Sequence, residues 1–119
     1  MKERFVGIDL AKRTMAVCIV SDGEPIERHG LKTDGEGRKR LCRLLKKTDT
    51  VALEVCAYAT VLVRQLNREV GCTVIMLNPG RLQVIWKSAK KTDKEDALKL
   101  AKLVQRTPEE ELPVVPLIS

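Results

Sequence analysis

The sequence predicts an α/β fold with a mixed five-stranded sheet and helices on its faces, and three observations support this prediction. Strand-like segments rich in Val and Ile come first, and an Asp-Gly pair, a strong hairpin signal, follows the second of them. Helical and strand patterns then alternate along the chain. At 119 residues, with 44% hydrophobic and 32% charged residues, the chain has room for one hydrophobic core and not for two.

The strand predictions rest on runs of β-branched and other apolar residues. Residues 4–11 and 14–20 are the first two strands, and we expect them to be antiparallel. The pair Asp22-Gly23 marks a turn, and residues 25–32 supply a third strand. The last two predicted strands are residues 48–55 and 72–77.

The helix predictions rest on apolar residues at helical spacing. Leu41, Leu44 and Leu45 fall at i, i+3 and i+4, while Arg and Lys occupy the positions around them, so the first helix has a basic face. Residues 57–70 form a second helix, which Gly71 is expected to end. Two further helices are predicted over residues 81–88 and 93–105.

The order of these elements predicts the topology. Three antiparallel strands lead, and right-handed crossovers then place the fourth strand beside the first. This is the layout of the ribonuclease H-like fold. Residues 1–106 are predicted to form this single domain, and residues 107–119, which are rich in proline, are predicted to be a linker or tail.

Two acidic residues are expected at one end of this sheet. Asp9 lies between Ile8 and Leu10 in an apolar strand, so we expect it to be buried, where an unpaired carboxylate would be costly. Glu54 ends the strand predicted to lie alongside. Because two neighbouring carboxylates repel each other, a divalent cation is the expected partner.

Two further acids lie on one face of the last predicted helix. Asp93 and Asp96 are three residues apart, and together with the first two acids they would suit a two-metal site for phosphodiester chemistry. Taken singly, three of the four acids have a simpler interpretation. Asp93 would be a helix cap, Asp96 a partner of the helix dipole, and Glu54 a surface acid at a strand end.

The charge of the chain favours anionic partners. The formal net charge is +6 and the isoelectric point is near 9.3. Lys and Arg side chains that contact the phosphates of a nucleic acid give affinity without reading its base sequence. For any single cation, the alternative is a place on a solvated helix face. The candidate nucleic-acid-binding residues are Lys12, Arg81, Lys87, Lys90, Lys91 and Lys94.

Other features of the sequence carry no predicted role. The four cysteines, Cys18, Cys42, Cys56 and Cys72, lack the spacing of a zinc site and are expected to be reduced thiols in the interior. His29 is expected at the surface. No apolar run is long enough to span a bilayer and no signal peptide is present, so a cytoplasmic protein without membrane contact is expected.

The sequence resembles the N-terminal, RuvC-like domain of DEDD-type insertion-sequence transposases, the group that includes the RNA-guided bridge recombinases and the Piv-type invertases. The resemblance runs from Phe5 to about Val104. The family's elements recur in order as Val6-Gly7-Ile8-Asp9 with Ala11-Lys12, Leu53-Glu54, Leu77-Asn78-Pro79, and Lys91-Thr92-Asp93 with Asp96-Ala97.

The resemblance implies a catalytic role for the four acids. It identifies Asp9, Glu54, Asp93 and Asp96 as the residues that bind Mg²⁺, with Mn²⁺ as an alternative, for cleavage and transfer of DNA strands at insertion-sequence ends. It also implies DNA as substrate, a guide RNA as a partner in RNA-guided members, and a homo-oligomer in the full-length protein. Ala57 departs from the pattern, since many members have glycine there.

The family's C-terminal domain supplies a nucleophilic serine, and no serine of this chain is assigned to that role. The isolated chain is therefore expected to be inactive. Two other functions stay open: a non-enzymatic nucleic-acid-binding or assembly module, and a nuclease that resembles Holliday-junction resolvases. An actin-like kinase is less favoured, because Ala11 stands where its phosphate loop needs glycine.

Overall fold

The structure, a computed structural model, describes residues 3–78 and 96–107, with the backbone alone for Asp96. A five-stranded sheet has the strand order β3-β2-β1-β4-β5; β1 pairs antiparallel with β2 and parallel with β4. The elements are β1 (Arg4–Leu10), β2 (Thr14–Ser21), β3 (Glu24–Lys32), α1 (Gly35–Leu44), β4 (Thr50–Glu54), α2 (Ala59–Glu69), β5 (Thr73–Leu77) and α3 (Asp96–Arg106).

This architecture confirms the predicted α/β, ribonuclease H-like fold. The sheet is mixed, as expected from right-handed crossovers, because β4 and β5 run parallel to β1. The three described helices flank it. The helix predicted over residues 81–88 lies outside the described residues, as does the predicted linker beyond Thr107.

The hairpin between β2 and β3 forms at the predicted Asp-Gly pair. Asp22 has φ of 55° and Gly23 has φ of 78°, so both residues are left-handed, as a two-residue type I′ turn requires. Asp tolerates this conformation better than most residues, and Gly adopts it without steric cost. The turn joins Ser21 to Glu24, which face each other in the register of the two strands.

The second helix begins two residues later than the sequence predicts. The N–H of Ala59 donates to the carbonyl of Cys56 at 3.1 Å, which leaves Ala57 and Tyr58 in a turn. No side chain caps this helix, so the local sequence carries no start signal. Its end is as predicted, because the N–H of Gly71 donates to the carbonyl of Leu66 at 2.9 Å.

Strand alternation divides the core into two layers. On one face of the sheet, buried side chains of β1 and β2 such as Ile8 and Ile19 pack with Leu41 of α1 and Leu62 of α2. The other face is covered by α3. Its buried contacts with the sheet involve Ala52, Ile75, Leu77, Leu100 and Val104, and, beside them, Cys18, Val20, Ala97 and Ala101.

The backbone of α3 lies directly on β1 at Gly7. A Cβ atom built on Gly7 would overlap the carbonyl oxygen of Ala97 and would lie 2.7 Å from the backbone nitrogen of Ala101. Both obstacles are backbone atoms of one helix, so no side-chain rotation would relieve the overlap. Glycine at this position is therefore what lets the helix approach the strand.

A buried ion pair fixes the opposite end of β1. The guanidinium of Arg4 donates to both carboxylate oxygens of Asp49, at 3.0 and 2.8 Å, and to the carbonyl of Leu44 at 3.1 Å. Asp49 is 1% exposed and also accepts from the N–H of Lys46 at 2.8 Å. The pair thereby ties the start of β1 to the segment between α1 and β4.

Replacing Gly7 by alanine should destabilise the fold. We expect Gly7→Ala to lower the free energy of unfolding by about 3 kcal/mol, near the upper end of ordinary overpacking costs, because a whole helix must move away. Urea denaturation measures this. The matched control is Gly30→Ala, since a Cβ on Gly30 meets no atom within 4 Å; its effect should stay within about 0.5 kcal/mol. Equal effects of the two variants would contradict the close packing.

Removing Asp49 should leave the buried guanidinium of Arg4 without its partner. Asp49→Ala is expected to cost about 3 to 5 kcal/mol in thermal or urea denaturation. Glu27→Ala is the control, because Glu27 is half-exposed and lies 3.9 Å from Arg4; it should cost less than about 1 kcal/mol. A small loss for Asp49→Ala would show that this pair does not fix the strand.

Candidate functional site

Asp9 and Glu54 lie side by side at one end of the sheet. In the parallel pairing of β1 with β4, Ile8 is opposite Leu53, and the two acids are the next residue on each strand. They also share a face: Asp9 is two residues beyond Gly7, and Glu54 is two beyond Ala52, both of which lie under α3. The sheet therefore brings two carboxylates to neighbouring positions on its α3 face.

The expectation that Asp9 is buried is wrong, because its side chain is exposed, and Glu54 is half-buried. Ile8 is fully buried, but it points to the opposite face, so an apolar neighbour in a strand does not indicate burial. The described part of α3 covers this face of β1 at Gly7, and Asp9 lies two residues beyond that contact. Exposure makes the Asp9 carboxylate reachable by a large substrate.

The beginning of α3 lies near the same end of the sheet. The carbonyl of Ala97 is the atom that approaches Gly7, and Phe5, at the other end of β1, packs with the cluster that contains Leu100 and Val104. The helix therefore runs away from the carboxylate end, and the backbone of Asp96 is at its near end. The side chain of Asp96 and all of Asp93 lie outside the described residues.

The chemistry of the two described acids fits a magnesium ion. Mg²⁺ prefers oxygen ligands and is commonly held by one or two carboxylates, with waters and substrate phosphates completing the shell. Two carboxylates on adjacent strands, whose axes are roughly 4.8 Å apart, supply that set. Within residues 3–78 and 97–107, no group of three or more His, Cys, Asp or Glu side chains is placed to hold a metal.

The loop after β1 carries one candidate nucleic-acid contact close to these acids. Lys12 is exposed, three residues beyond Asp9. The loop is held by the N–H of Ala11, which donates to the carbonyl of Thr14 at 2.9 Å, and by the hydroxyl of Thr33, which donates to the carbonyl of Ala11 at 3.0 Å. The other five candidates, Arg81, Lys87, Lys90, Lys91 and Lys94, lie outside the described residues.

Two residues near the site had no role in the sequence predictions. Thr33 directly follows the edge strand β3 and braces the Lys12 loop, a contact across 22 residues that no local pattern signals. Asn78 directly follows β5, next to the end of β4, where the N–H of Val55 donates to the carbonyl of Leu77 at 3.0 Å. The motif Leu77-Asn78-Pro79 was the available signal for this position.

The cysteines are free thiols, and two of the four, Cys18 and Cys72, are buried as expected. Cys42 is half-buried and donates to a carboxylate oxygen of Glu69 at 3.5 Å. Burial, with a smaller contribution from Glu69, raises the pKa of Cys42 from 9.0 to about 11. Burial also raises the pKa of Cys72. Neither thiol is suited to act as a nucleophile near neutral pH.

His29 is half-buried on β3, where its Nε2 lies 3.1 Å from a carboxylate oxygen of Glu27. His29 and Leu31 point to the α1 face of the sheet, whereas Asp9 and Glu54 lie on the α3 face. None of the described helices is long and apolar enough to cross a membrane.

Comparison with protein families identifies the type of domain. A family model for the DEDD transposase domain of the IS110 type, described as "Transposase", matches residues 6–116. The matched region includes all four predicted acids and nearly the whole chain. A search of curated proteins gave no match.

The raised pKa of Cys42 predicts slow alkylation that depends on Glu69. At pH 8 the thiolate fraction should be roughly 100-fold lower than for a thiol with a pKa of 9.0. Glu69→Gln removes the negative charge but not the burial, so the pKa of Cys42 should fall part of the way and its alkylation rate should rise. Mass spectrometry of iodoacetamide-treated protein over a pH series measures both. Identical pH profiles for the two proteins would contradict the contact.

Proposed function

This chain belongs to the IS110-type family of DEDD transposases, and from that premise we propose that it carries the metal-binding carboxylates for cleavage and transfer of DNA strands at insertion-sequence ends. The proposed ligands of Mg²⁺, with Mn²⁺ as a substitute, are Asp9, Glu54, Asp93 and Asp96. DNA is the proposed substrate.

The observation that supports this proposal most strongly is the position of Asp9 beside Glu54. Their strands are parallel and in register, so the two carboxylates leave the sheet at the same end and on the same face. Like charges at this separation repel, and a bound cation offsets the repulsion.

The position of α3 supports the inclusion of the third and fourth acids. Its backbone approaches β1 at Gly7, so Asp96 begins the helix close to the end of the strand that carries Asp9. Asp93 is three residues earlier in the sequence. The positive end of the helix dipole also favours negative charge at this end of the helix.

The residues of the chain have distinct roles in the proposed mechanism. Bound Mg²⁺ supplies charge neutralisation at the attacking and leaving oxygens of the scissile phosphodiester. Asp9 and Glu54 would hold the cation, and the exposed side chain of Asp9 is accessible to DNA. Lys12, on its braced loop, contacts a neighbouring phosphate, which gives affinity without reading the base sequence.

The partners of this activity follow the family. The proposal includes a homo-oligomer, a guide RNA, and a separate domain that supplies the nucleophilic serine. In this scheme the four carboxylates position the cation and the DNA, and the serine of that domain is the attacking group.

Neutralising either described acid should remove cation binding. Isothermal titration with Mn²⁺ is expected to show binding to the wild-type chain, and Asp9→Asn or Glu54→Gln should weaken it by more than the roughly 10- to 100-fold that loss of an outer-shell contact costs. The measurement detects binding directly, without any need for catalysis.

The matched control is Glu24→Gln, which removes one carboxylate at the opposite end of the sheet, where β3 begins. It should bind Mn²⁺ like the wild type. If Asp9→Asn and Glu24→Gln both bind as the wild type does, the four acids do not form the proposed site, and a nucleic-acid-binding module without metal chemistry becomes the better description.

A further inference from the structure

A cationic surface lies on the face of the sheet away from α3, between α1 and the edge strand β3. A cavity of about 400 Å³ opens there, which we name the α1/β3 groove. A smaller cavity of about 250 Å³ adjoins it and shares Gly30, Leu31 and Arg40. The groove is lined by His29, Gly30, Leu31, Arg40, Arg43 and Leu44.

Two arginines dominate the charge of this groove. Arg40 and Arg43 are three residues apart on α1, so they project from the same side of the helix, and both are exposed. Among the described residues neither has a hydrogen bond or an ion pair, and no carboxylate lines the groove. Leu31 of β3 and Leu44 of α1 contribute apolar lining to the same groove.

Two other arginines, Arg38 and Arg4, differ in this respect. Arg38, two residues before Arg40 on α1, donates to the side-chain oxygen of Gln65 at 3.0 Å and to the carbonyl of Thr33 at 3.0 Å. Arg4 is held by Asp49. These two guanidiniums are therefore structural, whereas Arg40 and Arg43 present their donors to solvent over a concave surface.

The acidic residues nearest the groove form no ion pair with Arg40 or Arg43 among the described residues. Asp34 and Glu36 line the adjoining cavity at the beginning of α1, and Asp34 accepts from the N–H of Gly37 at 2.8 Å as the helix cap. Glu27 lies 3.1 Å from His29. Lys39 on α1 and Lys46, which follows the helix, are also exposed. The groove is thus suited to a polyanion.

We propose that Arg40 and Arg43 bind the phosphate backbone of double-stranded DNA in the α1/β3 groove. The guanidinium pairs strongly with phosphate, and two unpaired guanidiniums on one side of a helix can contact successive phosphates. The choice of DNA rests on the proposed function. Because the groove faces away from Asp9 and Glu54, it holds a part of the DNA that is distinct from the strand presented to those acids.

The test measures binding of the full chain to a short fluorescent DNA duplex by anisotropy, in EDTA, over a series of salt concentrations. The double variant Arg40→Gln/Arg43→Gln should weaken binding by about 10-fold or more at low salt. The slope of log affinity against log salt should become shallower by about 1.8, because each lost phosphate contact removes roughly 0.9.

The matched control is Arg64→Gln/Arg68→Gln, which removes two exposed arginines from α2 and the same net charge. It should change affinity by less than about threefold and leave the salt slope nearly unchanged. If both double variants lose DNA affinity equally, the loss depends on net charge and not on the groove, and the proposal is overturned. A loss confined to RNA, measured with a duplex of the same sequence, would overturn the choice of DNA.

Two further measurements separate this proposal from the metal site. Arg40→Gln/Arg43→Gln should bind Mn²⁺ as the wild type does, and it should melt at the same temperature. Failure of the metal site alone would leave the arginine-dependent DNA affinity in place. Wild-type DNA affinity in the arginine variant would overturn the groove and leave the metal site standing.

Discussion

The contact between the backbone of α3 and β1 at Gly7 determines where the candidate site lies. Only a residue without a side chain permits this approach, since Ala97 and Ala101 present backbone atoms to the strand. The approach places the beginning of the helix near the carboxyl-terminal end of β1. The parallel pairing with β4 independently brings Glu54 beside Asp9. Two separate features of the fold therefore converge on one end of one face of the sheet.

The start of β1 and the face of the sheet away from α3 carry other charged residues. At the start of β1, the pair of Arg4 and Asp49 holds the strand to the segment after α1. Both carboxylate oxygens of Asp49 accept from Arg4, so this pair has a structural role. On the face away from α3, the arginines of α1 that do not stabilise the fold are exposed over a groove. The sheet therefore lies between Asp9 and Glu54 on one face and Arg40 and Arg43 on the other.

Much of this architecture is predictable because it depends on local patterns. Asp22-Gly23 forms the predicted turn, since the turn needs two left-handed residues. The strand order follows from the handedness of crossovers. Burial of Asp9 was predicted wrongly, because neighbours along a strand belong to the other face. The pair of Arg4 and Asp49 was missed, since its partners are 45 residues apart and neither signals the other.

The central claim is that the end of β1, the end of β4 and the beginning of α3 form one cation site. Titration of the nitrogen-labelled chain with Mn²⁺, followed by NMR, tests it most directly, because the bound ion broadens nearby amide signals. The account predicts that the amides of Asp9, Glu54 and Asp96 lose intensity together at the same Mn²⁺ concentration, while that of Arg43 does not. Broadening at Asp9 and Glu54 with no effect at Asp96, or broadening of each at a different concentration, would contradict it.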